Sequence, residues 1–186
     1  MPEIIDQRVV YSGWLTLSQA RVRMDDGRIA ERLVEDHGRG VAVLPFDADK
    51  KTAILVRQFR TPPHVCARTL NLLEVIAGLA DGEPPETAAA REALEEAGLK
   101  LSTLEHVATV WTMPGISTER MDLFFAPYSE SDRVGPGGGR ASEHEDITVL
   151  EIPLADLASM VDAGDIADMK TFALIQALRL RRPTLF

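Results

Sequence analysis

Two periodicities alternate along the chain. Val9–Tyr11, Trp14–Met24 and Ile29–Val34 carry the alternating pattern of strands, and Asp25-Asp26-Gly27 between the last two is a hairpin turn signal. Gly40–Phe46 and Thr52–Phe59 are more continuously apolar and predict a second, more buried hairpin, joined by the polar turn Asp47–Lys51. Asn71–Ala77 predicts another short strand, followed by a loop over Gly78–Pro85. Glu86–Ala97 is rich in Ala, Glu and Leu; Pro84 and Pro85 suit its start and Gly98 its end, so it predicts a helix. Further strands are expected at about 105–112, at about 120–126 and over Ile147–Ile152, and helices over Leu154–Ala163 and Asp168–Leu180. Ser129–Ser142 is polar and Gly-rich and is expected to be a mobile loop. Strands and helices follow one another without strict βαβ order, which favours an α+β fold with helices on a mixed sheet. The expected division is an N-terminal antiparallel strand region over 1–38 and a main domain over 39–186.

Composition narrows the classes. At 186 residues with 45% hydrophobic content, the chain can bury a core without disulfides or a structural metal. The lone cysteine, Cys66, excludes a disulfide framework and a cysteine zinc site within one chain, and fits a reducing, cytoplasmic setting. The N-terminal MPEIIDQRVV lacks the basic start and apolar core of a signal peptide, and no apolar run approaches a membrane span. A formal charge of −9 argues against nucleic acid as a partner. An acidic chain that binds a nucleotide needs a cation to carry the phosphates, so the positions of its acids matter.

They cluster on the predicted helix. Glu92, Glu95 and Glu96 stand at i, i+3 and i+4 and share one face. Like charges at that spacing repel by roughly 0.2–0.5 kcal/mol per pair, and the helix C-terminus disfavours anions. A divalent cation among the carboxylates would give the arrangement a purpose, since Mg²⁺ takes oxygen ligands. The plainer reading is a solvated acidic face helped by the i,i+4 pair Arg91–Glu95. The strand and Gly-containing loop ahead of the helix favour a phosphate-facing role.

The stretch resembles the Nudix box, G-x5-E-x7-R-E-U-x-E-E-x-G-U with U aliphatic. Gly78, Glu83, Arg91, Glu92, Glu95, Glu96, Gly98 and Leu99 match it. Four residues rather than five separate Gly78 from Glu83, and Ala93 stands at the first aliphatic position. Val56–Arg60, Glu74–Gly78 and Met113–Gly115 resemble the ADP-ribose and nucleotide-sugar pyrophosphatase branch of that family. Gly137–Gly139, Glu143–Ile147, Val149–Glu151, Gly164–Ile166 and Lys170-Thr171 are closer still to its GDP-mannose hydrolases.

The resemblance implies a Nudix α/β/α sandwich with a mixed sheet. It implies Mg²⁺, with Mn²⁺ as a substitute, held by Glu92, Glu96 and the carbonyl of Ala77, with Glu95 as an extra ligand and Glu145 from a late loop. Glu145, Glu143 and Glu95 are the candidate catalytic acids. Arg91 is expected to pair with a box carboxylate and fix the helix to the loop, and Glu83 to close that loop or to touch a metal through water. Gly78, Leu79, Arg60, Arg32, Glu119 and Lys170 are the candidate substrate contacts. Trp14 matches an aromatic that stacks on the nucleobase from the partner subunit of a homodimer. Trp111 and Met113 are read as packing residues, and His64 and Cys66 as incidental members of a Pro-rich loop. The implied reaction is hydrolysis of a nucleoside diphosphate sugar, first GDP-mannose, with ADP-ribose as the alternative substrate. A non-catalytic nucleotide-sugar sensor is the alternative of a different class.

Overall fold

The computed structural model describes residues 1–140 and 146–186. The chain forms two compact units: Met1–Gly40 with Thr109–Met121, and Val41–Ala108 with Asp122–Phe186. Each is described in turn.

In the first unit β1 (Glu3–Ser12), β2 (Thr16–Arg23) and β3 (Ile29–Asp36) form an antiparallel sheet in the order β1-β2-β3. The Asp25-Asp26-Gly27 turn closes β2 onto β3, and Gly27 takes the left-handed φ of +82° that favours glycine. Trp14 lies in the bend between β1 and β2, outside the strand expected to begin there. The end of β3 is tied to the 109–121 segment by the Glu35 N–H to the Ile116 carbonyl at 2.8 Å and the Thr118 N–H to the Glu35 carbonyl at 2.9 Å. Large apolar side chains stay exposed in this unit: Ile4, Val9, Val10, Tyr11, Ile29 and Leu33 on its strands, and Trp111 and Met113 in the second segment. Trp111 and Met113 therefore do not pack as expected; Arg120 lies over the Trp111 ring at 5.6 Å.

The second unit is built around a mixed sheet. The strand path is β10-β5-β4-β9-β8, made by β4 (Gly40–Asp47), β5 (Thr52–Gln58), β8 (Glu105–Trp111), β9 (Arg120–Pro127) and β10 (Thr148–Pro153). β4 and β5 pair beside their turn, at Phe46↔Ala53 and Asp47↔Thr52. Beyond it, β6 (Leu72–Glu74) pairs with β5 and β7 (Ile76–Leu79) pairs with β4. The expected strand over Asn71–Ala77 is thus two strands broken at Val75, each serving a different neighbour.

Every residue of β4 is buried, as its continuous apolar run requires of a strand covered on both faces. Alternation sends Val41, Val43, Ile54, Val56, Phe124 and Ala126 to the face packed by Ala88, Ala89, Ala93 and Ala97 of α2 (Pro85–Ala97). Alanines on that helix let it lie close to the sheet. Also in this unit, α3 (Leu154–Ala163) packs on α4 (Met169–Arg181), burying Leu154, Leu157, Leu174, Ile175 and Leu178. The Pro-rich segment expected to be a loop forms α1 (Thr61–Ala67), with proline at its N-terminal positions, where a missing N–H costs nothing. It buries no residue, so no apolar periodicity announces it.

The Gly-rich segment is the clearest departure. Its described part begins with a capped 3₁₀ turn, Glu130–Asp132. From there the backbone is strapped to the end of α2. The Lys100 N–H donates to the Asp132 carbonyl at 2.8 Å and the Val134 N–H to the Gly98 carbonyl at 2.9 Å. The Gly138 and Gly139 N–H groups donate to the Glu96 and Glu95 carbonyls at 2.9 and 3.1 Å. The expectation of mobility assumed that glycines have nothing to pack. Here the backbone itself packs, and a side chain would obstruct it. Gly137 has φ +69°, and a Cβ there would stand 2.4 Å from the Glu96 carbonyl oxygen.

Gly137→Ala should therefore destabilise the fold by about 2–3 kcal/mol through left-handed strain and the clash. For a chain of this size that corresponds to a melting temperature lower by roughly 4–12 °C. Thermal unfolding followed by circular dichroism tests this; an unchanged midpoint would mean that the strap is not tightly docked.

Candidate active site

The acid helix starts from a tight turn. The Glu83 N–H donates to the Ala80 carbonyl at 2.8 Å, while Asp81 and Gly82 take φ of +49° and +82°. Two successive left-handed residues close the turn, which accommodates the loop that is one residue short of the box pattern. Gly78 has a different constraint. A Cβ there would stand 2.2 Å from the Glu92 carboxyl carbon, so the carboxylate lies directly against the Gly78 backbone. Glu96 is buried, and its Oε2 accepts from the Ala77 N–H at 3.3 Å. Glu92 and Glu96, one helical turn apart, thus meet successive residues of β7.

Arg91 binds the acids to one another. It donates from Nε to Glu83 at 3.0 Å and from Nη1 to Glu92 at 2.8 Å and Glu95 at 3.2 Å. Its Nη2 donates to the Leu79 carbonyl at 3.0 Å. Burial works against its charge, but bonds to Glu83 and Glu92 and the nearby Glu95 outweigh this and raise its pKa. The expected roles of Arg91 and Glu83 are seen here: a guanidinium joins helix to loop and Glu83 closes the loop. Arg140 Nε lies 3.8 Å from Glu95.

Arg60 and Lys170, two candidate substrate contacts distant in sequence, meet on one carboxylate. Glu74 is 1% exposed. Arg60 grips it with two bonds, Nε to Oε1 at 2.8 Å and Nη2 to Oε2 at 3.1 Å, and Lys170 Nζ reaches Oε2 at 2.5 Å. Lys170 also meets Asp168 at 2.9 Å, and Asp168 caps α4 by accepting from the Thr171 N–H. Trp14, Arg32 and Glu119 belong to the first unit. Arg32 is exposed on β3, donating to the Glu31 carbonyl at 2.9 Å. Trp14 is stacked on His37, and Glu119 bonds to His37 and Thr112. Glu143 and Glu145 lie outside the described residues.

The comparisons with known proteins agree with this geometry. The NUDIX domain family matches residues 36–172. The chain belongs to the Nudix family. A GDP-mannose pyrophosphatase of Cronobacter sakazakii is 36% identical over 184 residues, covering 96% of this chain and 95% of that protein. One of Escherichia coli O1:K1 is 34% identical over 182 residues, covering 95% and 94%. Among solved structures, an ADP compounds hydrolase matches with a TM-score of 0.77 at 20% identity, over 98% of this chain and 95% of that one, and shows the same fold.

The Nudix acids supply the donor chemistry that a hard divalent cation needs. Glu92 and Glu96 meet Gly78 and Ala77, so the backbone carbonyl of Ala77 belongs to the same stretch. Glu95 is turned to Arg91, and among the described residues no three acidic, histidine or cysteine side chains converge as a metal site. Two carboxylates and a carbonyl still fit Mg²⁺, which commonly keeps waters and takes substrate phosphate oxygens for the rest. Among the described residues, no helix is long and apolar enough to cross a membrane.

Sequence reasoning passed over two residues of these networks. Glu74 was visible only as the single charge inside the apolar run Asn71–Ala77, and a lone charge there signals a buried partnered group. His37 gave no signal, because its partners stand at positions 14, 35 and 119. Glu74→Gln should leave Arg60 without its carboxylate and Lys170 with Asp168 alone, and cost about 3 kcal/mol, as breaking a buried pair does. Chemical denaturation measures this; a loss below about 0.5 kcal/mol, the level of an ordinary surface change, would show that the network adds nothing to the fold.

Proposed function

We propose that this chain hydrolyses the diphosphate of a nucleoside diphosphate sugar, first GDP-mannose, giving GMP and mannose 1-phosphate. The observation that carries the reading is the complete acid row of α2, held against Ala77–Gly78, in a chain similar over nearly its whole length to GDP-mannose pyrophosphatases. A sensor on the same scaffold would have no use for so costly a row of like charges.

Glu92, Glu96 and the Ala77 carbonyl are assigned to hold Mg²⁺, or Mn²⁺ in its place, with Glu145 as a further ligand. When bound, the metal neutralises phosphate oxygens and acidifies a water. Glu145 is the first candidate base, with Glu143 and Glu95 beside it in the reading. Arg91 keeps Glu92 and Glu95 oriented and ties them to the Leu79 carbonyl. Gly78 and Leu79 offer backbone to the diphosphate. Lys170, drawn to Arg60 by Glu74, would face phosphate, and Arg60 and Arg32 the phosphate or sugar. Glu119 would bond a sugar hydroxyl and Trp14 would stack on the base.

A homodimer is part of the proposal. A three-stranded sheet with Ile4, Val9, Val10, Tyr11, Ile29 and Leu33 exposed is marginal alone, and a second copy would cover it. The strand region over 1–38 is then the dimerising element and Trp14 serves the partner's site. A cytoplasmic setting fits the single, exposed Cys66.

Purified protein with Mg²⁺ should cleave GDP-mannose faster than ADP-ribose, ADP-glucose or diadenosine polyphosphates, and EDTA should stop it. Tight binding of a nucleotide sugar without cleavage would establish the sensor reading instead. Glu96→Gln removes one charge at constant size and should lower kcat by roughly 10²–10⁴ at nearly unchanged fold. Turnover near wild type would take Glu96 out of the metal site. Light scattering should give about twice 20.4 kDa; a fully active monomer at nanomolar concentration would contradict the shared site.

A further inference from the structure

The first unit contains a bracket around His37, a residue that the reaction as proposed does not use. His37, just beyond β3, has a carboxylate on each ring nitrogen. Its Nδ1 makes a short contact with Glu35 Oε1, and its Nε2 lies 3.2 Å from Glu119 Oε1. Glu119 is held on its other side: its second carboxylate oxygen accepts from the Thr112 hydroxyl, and its N–H donates to Ser117 Oγ at 3.0 Å. Trp14 lies flat on the His37 ring, with centroids 5.3 Å apart and planes 15° apart. Trp14 is nonetheless 76% exposed, so the stack leaves most of the indole open.

The chemistry of this arrangement is restrictive. A neutral imidazole has one donor and one acceptor, and only the imidazolium can donate to two carboxylates at once. A cation over an indole face is further attracted by the ring quadrupole. From its own strand the charged group facing the ring is Glu35; from the 109–121 segment it is Glu119; from the bend before β2 it is the uncharged Trp14. Asp36, next in sequence to both, is engaged by the Gly38 N–H at 3.2 Å. Burial opposes charge on His37, but the bonds to Glu35 and Glu119 and their charges outweigh it, and the pKa is raised.

We propose that His37 is a positioning residue for ligand recognition: bonded at both ring nitrogens and stacked on Trp14, it fixes the two groups that receive the nucleobase and a sugar hydroxyl. This rests on the reading above that Trp14 and Glu119 touch the nucleotide sugar. His37 itself touches neither ligand nor metal. The sign of its pH dependence follows from the bracket. A raised pKa means that the clamp is complete in acid and at its strongest below the ordinary histidine range, and is lost as pH rises through the folded-state value. Substrate KM should therefore rise with pH across that step. The accompanying change in kcat should be smaller, because the acid row belongs to the other unit.

Two measurements test this. The chain has two tryptophans, so Trp111→Phe leaves Trp14 as the only one. A protonated imidazole stacked on indole quenches its emission. Trp14 emission should rise as His37 loses its proton, and His37→Gln in that background should abolish the step. Glu35→Gln removes one of the two carboxylates, keeps the histidine, and should move the step to lower pH. The second measurement is the pH profile of KM and kcat for GDP-mannose with Mg²⁺. His37→Gln should raise KM about 10-fold at the acid end, the equivalent of one charge-assisted contact, and flatten its pH dependence. A Trp14 step that survives His37→Gln, or a KM profile that His37→Gln leaves unchanged, would overturn the proposal. If the wild type cleaves no nucleotide sugar at any pH, the reaction reading fails by itself. The Kd of GDP-mannose, read from Trp14 emission, then carries the same test: a Kd rising with pH in the wild type and flat in His37→Gln supports the bracket, and parallel profiles overturn it.

Discussion

Glu83 in the turn before α2 and Glu92, Glu95 and Glu96 near the end of the helix are drawn together, and the guanidinium of Arg91 is what allows three of them to stand there. Glu92 and Glu95 would repel one another at helical spacing, and Glu83 from the turn is brought beside them. Arg91 donates to all three and, with its remaining amine, to the Leu79 carbonyl. One residue therefore neutralises part of the row and fixes the helix against the loop that would face the diphosphate. The planar fork is what makes this possible; a lysine at the same position could supply charge but not four directed bonds. One cation among three carboxylates still leaves an excess of negative charge, which is the condition for attracting a hard divalent ion.

The same row sits at the wrong end of its helix. Backbone carbonyls at a helix C-terminus present partial negative charge, which adds to the repulsion. The strap from the Gly-rich segment answers this. The N–H groups of Gly138 and Gly139 take up the Glu96 and Glu95 carbonyls, so the exposed end of the dipole is capped by donors rather than by water. Only residues without a Cβ can bring backbone this close, as the contact at Gly137 shows. The glycines of that segment thus support the carboxylates electrostatically.

What could be read from the sequence follows from the range of the interactions. α2 was legible because its composition, its proline start and its glycine end are all local. The hairpin of β4 and β5 was legible because strands buried on both faces leave continuous apolar runs. The box acids were legible because they stand three and four residues apart. α1 was not, since it buries nothing, and the split of the Asn71–Ala77 strand was not, since β6 and β7 choose different partners through tertiary pairing. The Glu74 network joins positions 60, 74 and 170, and the His37 bracket joins 14, 35, 37 and 119. Each residue in them has an ordinary local context, so no window of sequence contains the signal.

These networks share a physical logic that bears on an anionic ligand. The chain carries a net charge of −9, and a nucleoside diphosphate is itself an anion. Cations left loose on such a surface would be drawn to the nearest carboxylate and lost to the ligand. Instead Arg60 and Lys170 are anchored on one buried acid, with Arg60 remaining 40% exposed. Glu74 cannot turn outward to compete, because it is buried and bonded on both oxygens. In the acid row the balance differs: one arginine stands among several carboxylates, and the surplus is negative. In an acidic chain both regions hold their charged groups in fixed positions by pairing, so neither depends on a basic surface.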